Sequence, residues 1–147
     1  MEHKILLLLL LSLIGYSADV GFTGNGFILT ANTEVVECSV QTTDNTLTQC
    51  AEFTLTPDSA YQAELDCTGI KSDATSLAAI RILGLAKKVG AGAAVIEGSL
   101  VTVFDQAGAT LWDTDITTSG NNMVFSVKGA NATTINWTCK IELVKKI

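Results

Sequence analysis

Apolar and polar residues alternate with a period of two along much of this chain. The cleanest example is Thr133–Val144, where every second residue from Ile135 to Leu143 is apolar and the residues between are polar. Ala60–Lys71 repeats the pattern. A period of two places the apolar residues on one face of a strand and the polar residues on the other. Both segments are therefore predicted to be strands with one buried face and one wet face.

Shorter segments between turn signals predict further strands. Gly, Asn and Asp clusters, together with the single proline, Pro57, separate these segments and favour turns. Asp19–Gly26 is glycine-rich and is interpreted as an extended arm or a first edge strand. The remaining predicted strands are, in chain order, Phe27–Ala31, Glu34–Gln41, Leu47–Leu55, Thr110–Thr117 and Met123–Lys128.

The longest apolar stretch, Leu77–Asp105, predicts a hairpin. Two apolar runs flank Gly90-Ala91-Gly92, and the second run is rich in Val, Ile, Phe and Thr, which favour strands. The first run, Leu77–Val89, is ambiguous. Its alanines and its Lys87-Lys88 ending before Gly90 also suit a helix with a glycine cap, whereas Gly84 favours a strand or bulge.

Many short strands with polar turns between them favour an all-β fold. The prediction is an antiparallel β-sandwich of jelly-roll type, formed by residues 19–147 as a single domain. A hydrophobic signal or anchor helix, residues 1–18, is expected to precede it.

The N-terminus has the layout of a secretory signal peptide. A short charged start is followed by the apolar run Ile5–Ile14 and then by the small residues of Gly15–Ala18. The apolar run is about half the ~20 residues that a spanning helix needs. We therefore expect cleavage after Ser17 or Ala18 and an exported, extracellular location on a virion or cell surface or in the periplasm. A retained anchor is the alternative.

Charge argues against a nucleic-acid partner. The formal net charge is −6, and Lys87-Lys88 and Lys145-Lys146 are isolated pairs rather than a basic stripe. Phosphate binding needs clustered Lys and Arg.

The four cysteines agree with export, because an even number in an exported chain favours disulfides. Of the three possible pairings, we expect Cys38–Cys50, which would join neighbouring strands, and Cys67–Cys139, which would tie an early strand to the last one. Buried free thiols are the alternative.

The side-chain inventory does not favour an enzyme. The only histidine, His3, lies in the leader, so triads built on histidine are excluded and no catalytic residue is assigned. Asp113 with Asp115, and Glu64 with Asp66, are carboxylates two apart on a strand, most simply a solvated face. Zinc and calcium spacings are missing, so neither a metal nor a cofactor is expected.

Three aromatic residues have two interpretations. Trp112, Trp137 and Tyr61 could form a platform for stacking sugars, or they could pack in the core, which the apolar-face positions of Tyr61 and Trp137 favour. Trp112 and the adjacent Asp113 and Asp115 are the candidate ligand-binding residues.

With the strands assigned, Thr42–Val144 resembles the tail-fibre-type β-sandwich domains of bacteriophage virion proteins. The resemblance is carried by a pattern of turns, strands and two tryptophans: Thr42-Thr-Asp-Asn-Thr46, Tyr61-Gln-Ala-Glu-Leu65, Lys87-Lys-Val-Gly90, Trp112-Asp113, Ser119-Gly120, Val127-Lys-Gly129 and Ile135-Asn-Trp137.

This resemblance implies that Leu77–Val89 is a strand and that the protein is a non-enzymatic virion structural or surface protein. It would serve in attachment to a host receptor, such as a cell-surface glycan, or in subunit assembly. The implied partners are other virion proteins and further copies of the chain, with a trimer as one form. The leader and the four cysteines depart from the fibre pattern. They favour a second hypothesis, a secreted or periplasmic carbohydrate-binding or adhesin domain of cellular origin.

Overall fold

The computed structural model describes residues 19–23, 26–30, 33–104, 109 and 111–146, and within these ranges every regular element is a strand. The predicted all-β fold is confirmed at this level. None of the described residues forms a helix with the length and hydrophobicity needed to cross a bilayer. The leader predicted at residues 1–18 lies outside the described residues.

The strands are β1 (Asp19–Thr23), β2 (Gly26–Thr30), β3 (Thr33–Thr42), β4 (Leu47–Thr54), β5 (Ser59–Lys71), β6 (Leu77–Lys88), β7 (Val95–Phe104), β8 (Asp113–Ser119), β9 (Asn122–Lys128) and β10 (Ile135–Lys145).

The strands form two main sheets and a separate hairpin. One sheet has five strands in the order β3-β10-β5-β6-β7, the other has three in the order β4-β9-β8, and β1 pairs with β2. All pairs are antiparallel. The two main sheets share one apolar core, which makes them an antiparallel sandwich. The jelly-roll connectivity remains a prediction.

Strand β10 supplies the centre of this core. It lies between β3 and β5, and its inward side chains are the apolar residues of the period-two pattern. All five are buried: Ile135, Trp137, Cys139, Ile141 and Leu143. The facing sheet contributes Phe53 and Phe125, whose rings meet edge to face with centroids 5.5 Å apart.

Trp137 is the largest fully buried side chain, and two small neighbours make room for it. Gly69 lies directly opposite on β5, and a Cβ atom there would come within 2.8 Å of the indole ring. On the other side, Trp137 Nε1 donates a hydrogen bond of 3.0 Å to Thr42 Oγ1 on β3. The indole ring therefore has room in the core, and its N–H group has a hydrogen-bond acceptor.

The ambiguous segment Leu77–Val89 forms strand β6. Its side chains are alternately buried and exposed along nearly its whole length, and it pairs with β5 on one side and β7 on the other. Both sets of backbone groups are satisfied by neighbouring strands, so sheet pairing overrides the helix signals. Gly84 lies at the sheet interface, where a Cβ atom would come within 3.2 Å of Ile116 Cδ1.

Most predicted strand boundaries differ from the observed ones by one or two residues, and two differ by three. The segment predicted as Thr110–Thr117 begins its strand at Asp113, because the chain turns before it and Trp112 N donates to Ala109 O at 3.0 Å. The arm predicted at Asp19–Gly26 contributes β1 and the first residue of β2.

Both expected disulfides are formed, Cys38–Cys50 and Cys67–Cys139. Cys67 and Cys139 are directly opposite each other on β5 and β10. Cys50 lies where the β4–β9 register shifts between Gln49 and Ala51, so it is the extra residue of a bulge. A bulge re-aims a side chain, and here the sulfur of Cys50 bonds to β3 of the other sheet. One disulfide therefore lies within a sheet and the other joins the two sheets.

We expect Gly69→Ala to lower the free energy of unfolding by about 1–3 kcal/mol, because the added methyl would displace the Trp137 ring in a packed core. Gly98→Ala is the matched control, since nothing lies within 4 Å of a Cβ atom at that position. Urea unfolding followed by tryptophan fluorescence measures both. Equal stability of the two variants would contradict this packing.

The two disulfides should contribute unequally to stability. In the chain-entropy model, Cys67–Cys139 closes a loop of 72 residues and is worth about 4 kcal/mol, whereas Cys38–Cys50 closes 12 residues and is worth about 3 kcal/mol. We therefore expect the double variant Cys67→Ala/Cys139→Ala to unfold at a lower urea concentration than Cys38→Ala/Cys50→Ala. The reverse order would contradict the expectation.

Candidate functional site

The outer surface of the three-stranded sheet carries a concentration of polar side chains, and we call it the polar face. Asp113 and Asp115 reach it because Thr114 and Ile116, which alternate with them on β8, are buried in the core. The strand register brings outward residues of β4 and β9 alongside. The polar face comprises Gln49, Glu52, Asp113, Asp115, Asn122, Ser126 and Lys128, of which Ser126 is only 7% exposed.

Two carboxylates of the polar face are engaged by neighbours within the sheet. Asp113 Oδ1 accepts a hydrogen bond of 2.9 Å from the backbone N–H of Thr114, and Asp113 Oδ2 lies 3.6 Å from Lys128 Nζ. Glu52 accepts hydrogen bonds from Gln49 Nε2, at 3.0 Å, and from Asn122 Nδ2. These contacts order the face, although ion pairs this exposed contribute little to stability.

Asp115 differs from those two acids. Within the part of the chain that the structure describes, its carboxylate makes no side-chain hydrogen bond or ion pair. It lies directly opposite Ser126, and Ser126 in turn lies directly opposite Gln49. A carboxylate, a hydroxyl and an amide thus form one row across three strands, which we call the polar row. With strands about 4.8 Å apart, the polar row spans roughly 10 Å.

The polar row could bind a ligand rich in hydroxyl groups. A carboxylate accepts hydrogen bonds, an amide both donates and accepts, and a serine hydroxyl does either. The sequence predicts that Asp115 faces water, and in the structure it is half-buried on the outer side of β8. The contributions of Gln49 and Ser126 were missed, because only the strand register, altered by the Cys50 bulge, reveals that they align with it.

The three aromatic residues considered for a stacking platform are all buried. Trp112 is 7% exposed, and its ring packs edge to face on Trp137 with centroids 5.9 Å apart. Tyr61 lies in the same core. The interpretation of these residues as core is confirmed, and Trp112 contacts the interior rather than the polar face. Its position directly before Asp113 anchors the start of β8.

The second carboxylate pair forms a surface cluster with Arg81 on the outer face of the five-stranded sheet. Arg81 donates to both oxygens of Asp66, from Nε at 2.6 Å and Nη2 at 3.1 Å, and Nε lies 3.3 Å from Glu64 Oε1. The hydrogen bonds and charge of Asp66, followed by the charge of Glu64, raise the pKa of Arg81. This bidentate arrangement is typical of a structural ion pair.

Among the described residues, three cysteine sulfur atoms lie close enough together to hold a metal ion. The Sγ atoms of Cys38, Cys50 and Cys139 lie within 4.8 Å of one another. Each belongs to a disulfide, and metal ligation requires the thiolate form. In its oxidised state the cluster is a structural staple.

The β5–β6 turn is fixed by an exposed acid, Asp73. Its carboxylate accepts hydrogen bonds from Thr75 Oγ1 at 2.6 Å and Thr75 N at 3.0 Å, and lies 2.8 Å from Lys71 Nζ. The Lys71 hydrogen bond, followed by those from Thr75, holds the pKa of Asp73 well below its usual range. Ala74 follows with a φ of 57°, so the turn supports a left-handed residue.

A comparison with models of known protein families gives no match, and neither does a comparison with characterised proteins. Solved structures that align with part of this chain include three tailspike proteins of Acinetobacter phages, each at a TM-score below 0.5. The first, gp49 of the Acinetobacter baumannii bacteriophage Fri1, is a capsular polysaccharide depolymerase. Its sequence is 11% identical to this chain, and the alignment covers 78% of this chain and 19% of that protein with a TM-score of 0.36.

The tailspike of Acinetobacter baumannii phage AM24 is 13% identical, with 76% of this chain and 28% of that chain covered and a TM-score of 0.32. The tailspike of Acinetobacter phage vB_ApiP_P1 is 17% identical, with 90% and 25% covered and a TM-score of 0.35. This chain therefore spans less than a third of the length of each of these proteins.

We expect Lys71→Ala to raise the pKa of Asp73 towards its usual value, because the ammonium group that favours the carboxylate is removed. The depressed folded-state pKa of Asp73 stabilises the fold above its unfolded pKa, and that contribution is lost as the pH falls through the folded value. NMR titration of the Asp73 carboxyl carbon measures the change. Lys128→Ala, on the polar face, is the control that should leave it unaltered. Titration of Asp73 in its usual range in the unmodified protein would contradict the assignment.

Proposed function

We propose that this chain is an exported, non-enzymatic surface protein of a virion, a fibre-like module that attaches to a host receptor, in particular a cell-surface glycan, or assembles with other subunits. The sequence resemblance across Thr42–Val144 supports the virion role. The paired disulfides support folding in an oxidising compartment. The jelly-roll connectivity and the cleavable leader at residues 1–18 belong to the same proposal.

The observation that carries the proposal is which residues lie in the interior and which lie on the two outer faces. The tryptophans and the four cysteines lie within the sandwich or staple it. The outside carries a polar face on one sheet and, on the other, the Arg81 ion-pair cluster together with a band of exposed apolar residues on β6 and β7. Such surfaces suit recognition and assembly, because polar groups orient a ligand while apolar area favours association.

In the attachment role, Asp113 and Asp115 are the candidate ligand-binding residues. Asp115 accepts hydrogen bonds from ligand hydroxyls, and Asp113 acts as its neighbour on the polar face. Trp112 acts from beneath by packing on Trp137 and fixing the start of β8, rather than by stacking on a sugar. In the assembly role, the partners are other virion proteins and further copies of this chain, which would make the protein a homo-oligomer.

The second candidate is a secreted or periplasmic carbohydrate-binding or adhesin domain of cellular origin. The two disulfides favour it, because such bonds are typical of secreted and periplasmic domains. It would use the same polar face. Neighbouring genes encoding capsid or tail proteins would support the virion role, whereas genes for secretion or cell-wall functions would support this one.

A glycan array probed with the full chain, purified from the exported fraction and presented as a multivalent cluster, tests the attachment role. We expect binding to a surface glycan, and we expect Asp115→Asn to weaken it by at least about tenfold, since hydrogen bonds to a charged group are worth about 1.5–3 kcal/mol. Glu37→Gln, an exposed acid on β3 of the other sheet, is the matched control and should bind normally.

Two results would count against attachment at the polar face. Equal loss of binding in both variants would indicate a general charge effect rather than a site at Asp115. Failure to bind both the array and intact host cells would contradict the attachment role and leave assembly as the function.

A further inference from the structure

Strand β7 is an edge of the five-stranded sheet and pairs along one side only, with β6. Within the described ranges, no strand pairs with its other side, so the backbone N–H and C=O groups there are unpaired. An open edge of this kind is a template for another strand, and soluble proteins usually blunt such edges with charge, proline, bulges or a covering segment.

The other three edge strands of the two sheets carry such protection. On the five-stranded sheet, β3 has exposed Glu34 and Glu37, and the Cys38–Cys50 disulfide ties it to β4. On the three-stranded sheet, β4 carries the bulge at Cys50, and β8 carries Asp113 and Asp115.

Strand β7 lacks this protection over most of its length. Its single charged residue, Glu97, lies at a bulge and is held by Lys87 Nζ at 2.8 Å. Beyond the bulge, Gly98–Phe104 contains neither a charge nor a proline and is rich in residues that favour strands. An uncharged edge run of this composition is prone to pair with another chain.

The apolar side chains of β7 are uncovered on both faces of the sheet. Leu100, 66% exposed, lies opposite Leu83 on the outer face. Val101 and Val103 point to the inner side, yet they are 48% and 57% exposed, because the facing sheet stops at β8, whose Ile116 lies over β6. Extending the sheet past β7 would pair its backbone edge and place further side chains beside Leu100, Val101 and Val103.

The exposed apolar side chains beside this edge supply part of the area that a dimer interface needs. The six exposed side chains of the β6–β7 band, namely Leu83, Leu85, Val95, Leu100, Val101 and Val103, present roughly 500 Å² of apolar surface per copy. Backbone and polar atoms of the edge add to this area, and specific interfaces bury about 800 Å² per partner.

We propose that β7 pairs antiparallel with β7 of a second copy of this chain about a two-fold axis. This inference rests on the assembly half of the proposed function and names its surface. A two-fold interface uses the same patch on both copies, so each charge-free run meets an identical one and no like charges are brought together within Gly98–Phe104. The edge groups of both copies become paired, and the two five-stranded sheets join into one.

The mass of the full chain in solution, purified from the exported fraction and measured by sedimentation, tests the interface. We expect a dimer, and we expect Val101→Lys to weaken it by at least about a hundredfold, because an unpaired ammonium near the two-fold axis is costly to desolvate. Leu47→Lys is the matched control: Leu47 is 51% exposed on another edge strand, and its substitution should leave the dimer intact. At high dilution the unmodified protein and the two variants are all monomers. A thermal unfolding temperature equal to that of the unmodified protein would then establish that each variant folds.

The outcomes separate this inference from the proposed function. A dimer that Val101→Lys leaves intact, or a trimer, would overturn pairing through β7 while leaving homo-oligomeric assembly in place. A monomer would overturn both the β7 interface and homo-oligomeric assembly, while leaving attachment and assembly with other virion proteins in place. A monomer that binds an unrelated virion protein through β7 would also overturn the inference, because the partner would not be a second copy.

Discussion

The fold depends on how β10 fills the space between the two sheets. Its inward residues form an unbroken buried row, and the largest of them, Trp137, fits only because Gly69 on β5 has no side chain. Thr42 on β3 accepts the indole hydrogen bond, so both neighbours of β10 are matched to this one ring. The two neighbouring strands thus provide the space for the Trp137 ring and the hydrogen-bond acceptor for its N–H group.

This interior organisation explains why function is assigned to the outer faces. The sheets differ in width, five strands against three, so the core ends before β7 and leaves the inner side of that strand uncovered. The polar row of Gln49, Ser126 and Asp115 lies on the outside of the narrow sheet, because the residues that alternate with it on β8 and β9 are buried. One sheet thus offers hydrogen-bonding groups and the other offers apolar area, on a scaffold that two disulfides hold closed.

Much of the fold could be predicted from the sequence, because strands with one wet face have a local signature. The alternation in Ala60–Lys71 and Thr133–Val144 gives β5 and β10 directly, and the outward direction of Asp113 and Asp115 follows from the same rule. Leu77–Val89 was ambiguous, because its strand character is decided by pairing with β5 and β7, which are non-local contacts. The resemblance to fibre domains gave the correct choice.

The site was less predictable, because it depends on register and sheet width. The alignment of Asp115 with Ser126 and Gln49 requires the bulge at Cys50, which a sequence pattern does not reveal. The exposure of Val101 and Val103 likewise depends on where the facing sheet ends, since their alternation alone would suggest burial. Local periodicity fixes which residues share a face, whereas tertiary packing decides whether that face is covered.

The central claim is that the sandwich is held by one disulfide within a sheet and another between the sheets. The most direct measurement is mass spectrometry of peptides obtained by proteolysis at low pH, where thiol exchange is suppressed, from the exported chain without reduction. The account predicts peptides joined through Cys67–Cys139 and Cys38–Cys50, with no thiol that reacts with an alkylating reagent in denaturant. Alkylation of the cysteines before reduction, or peptides joined in another pairing, would contradict it.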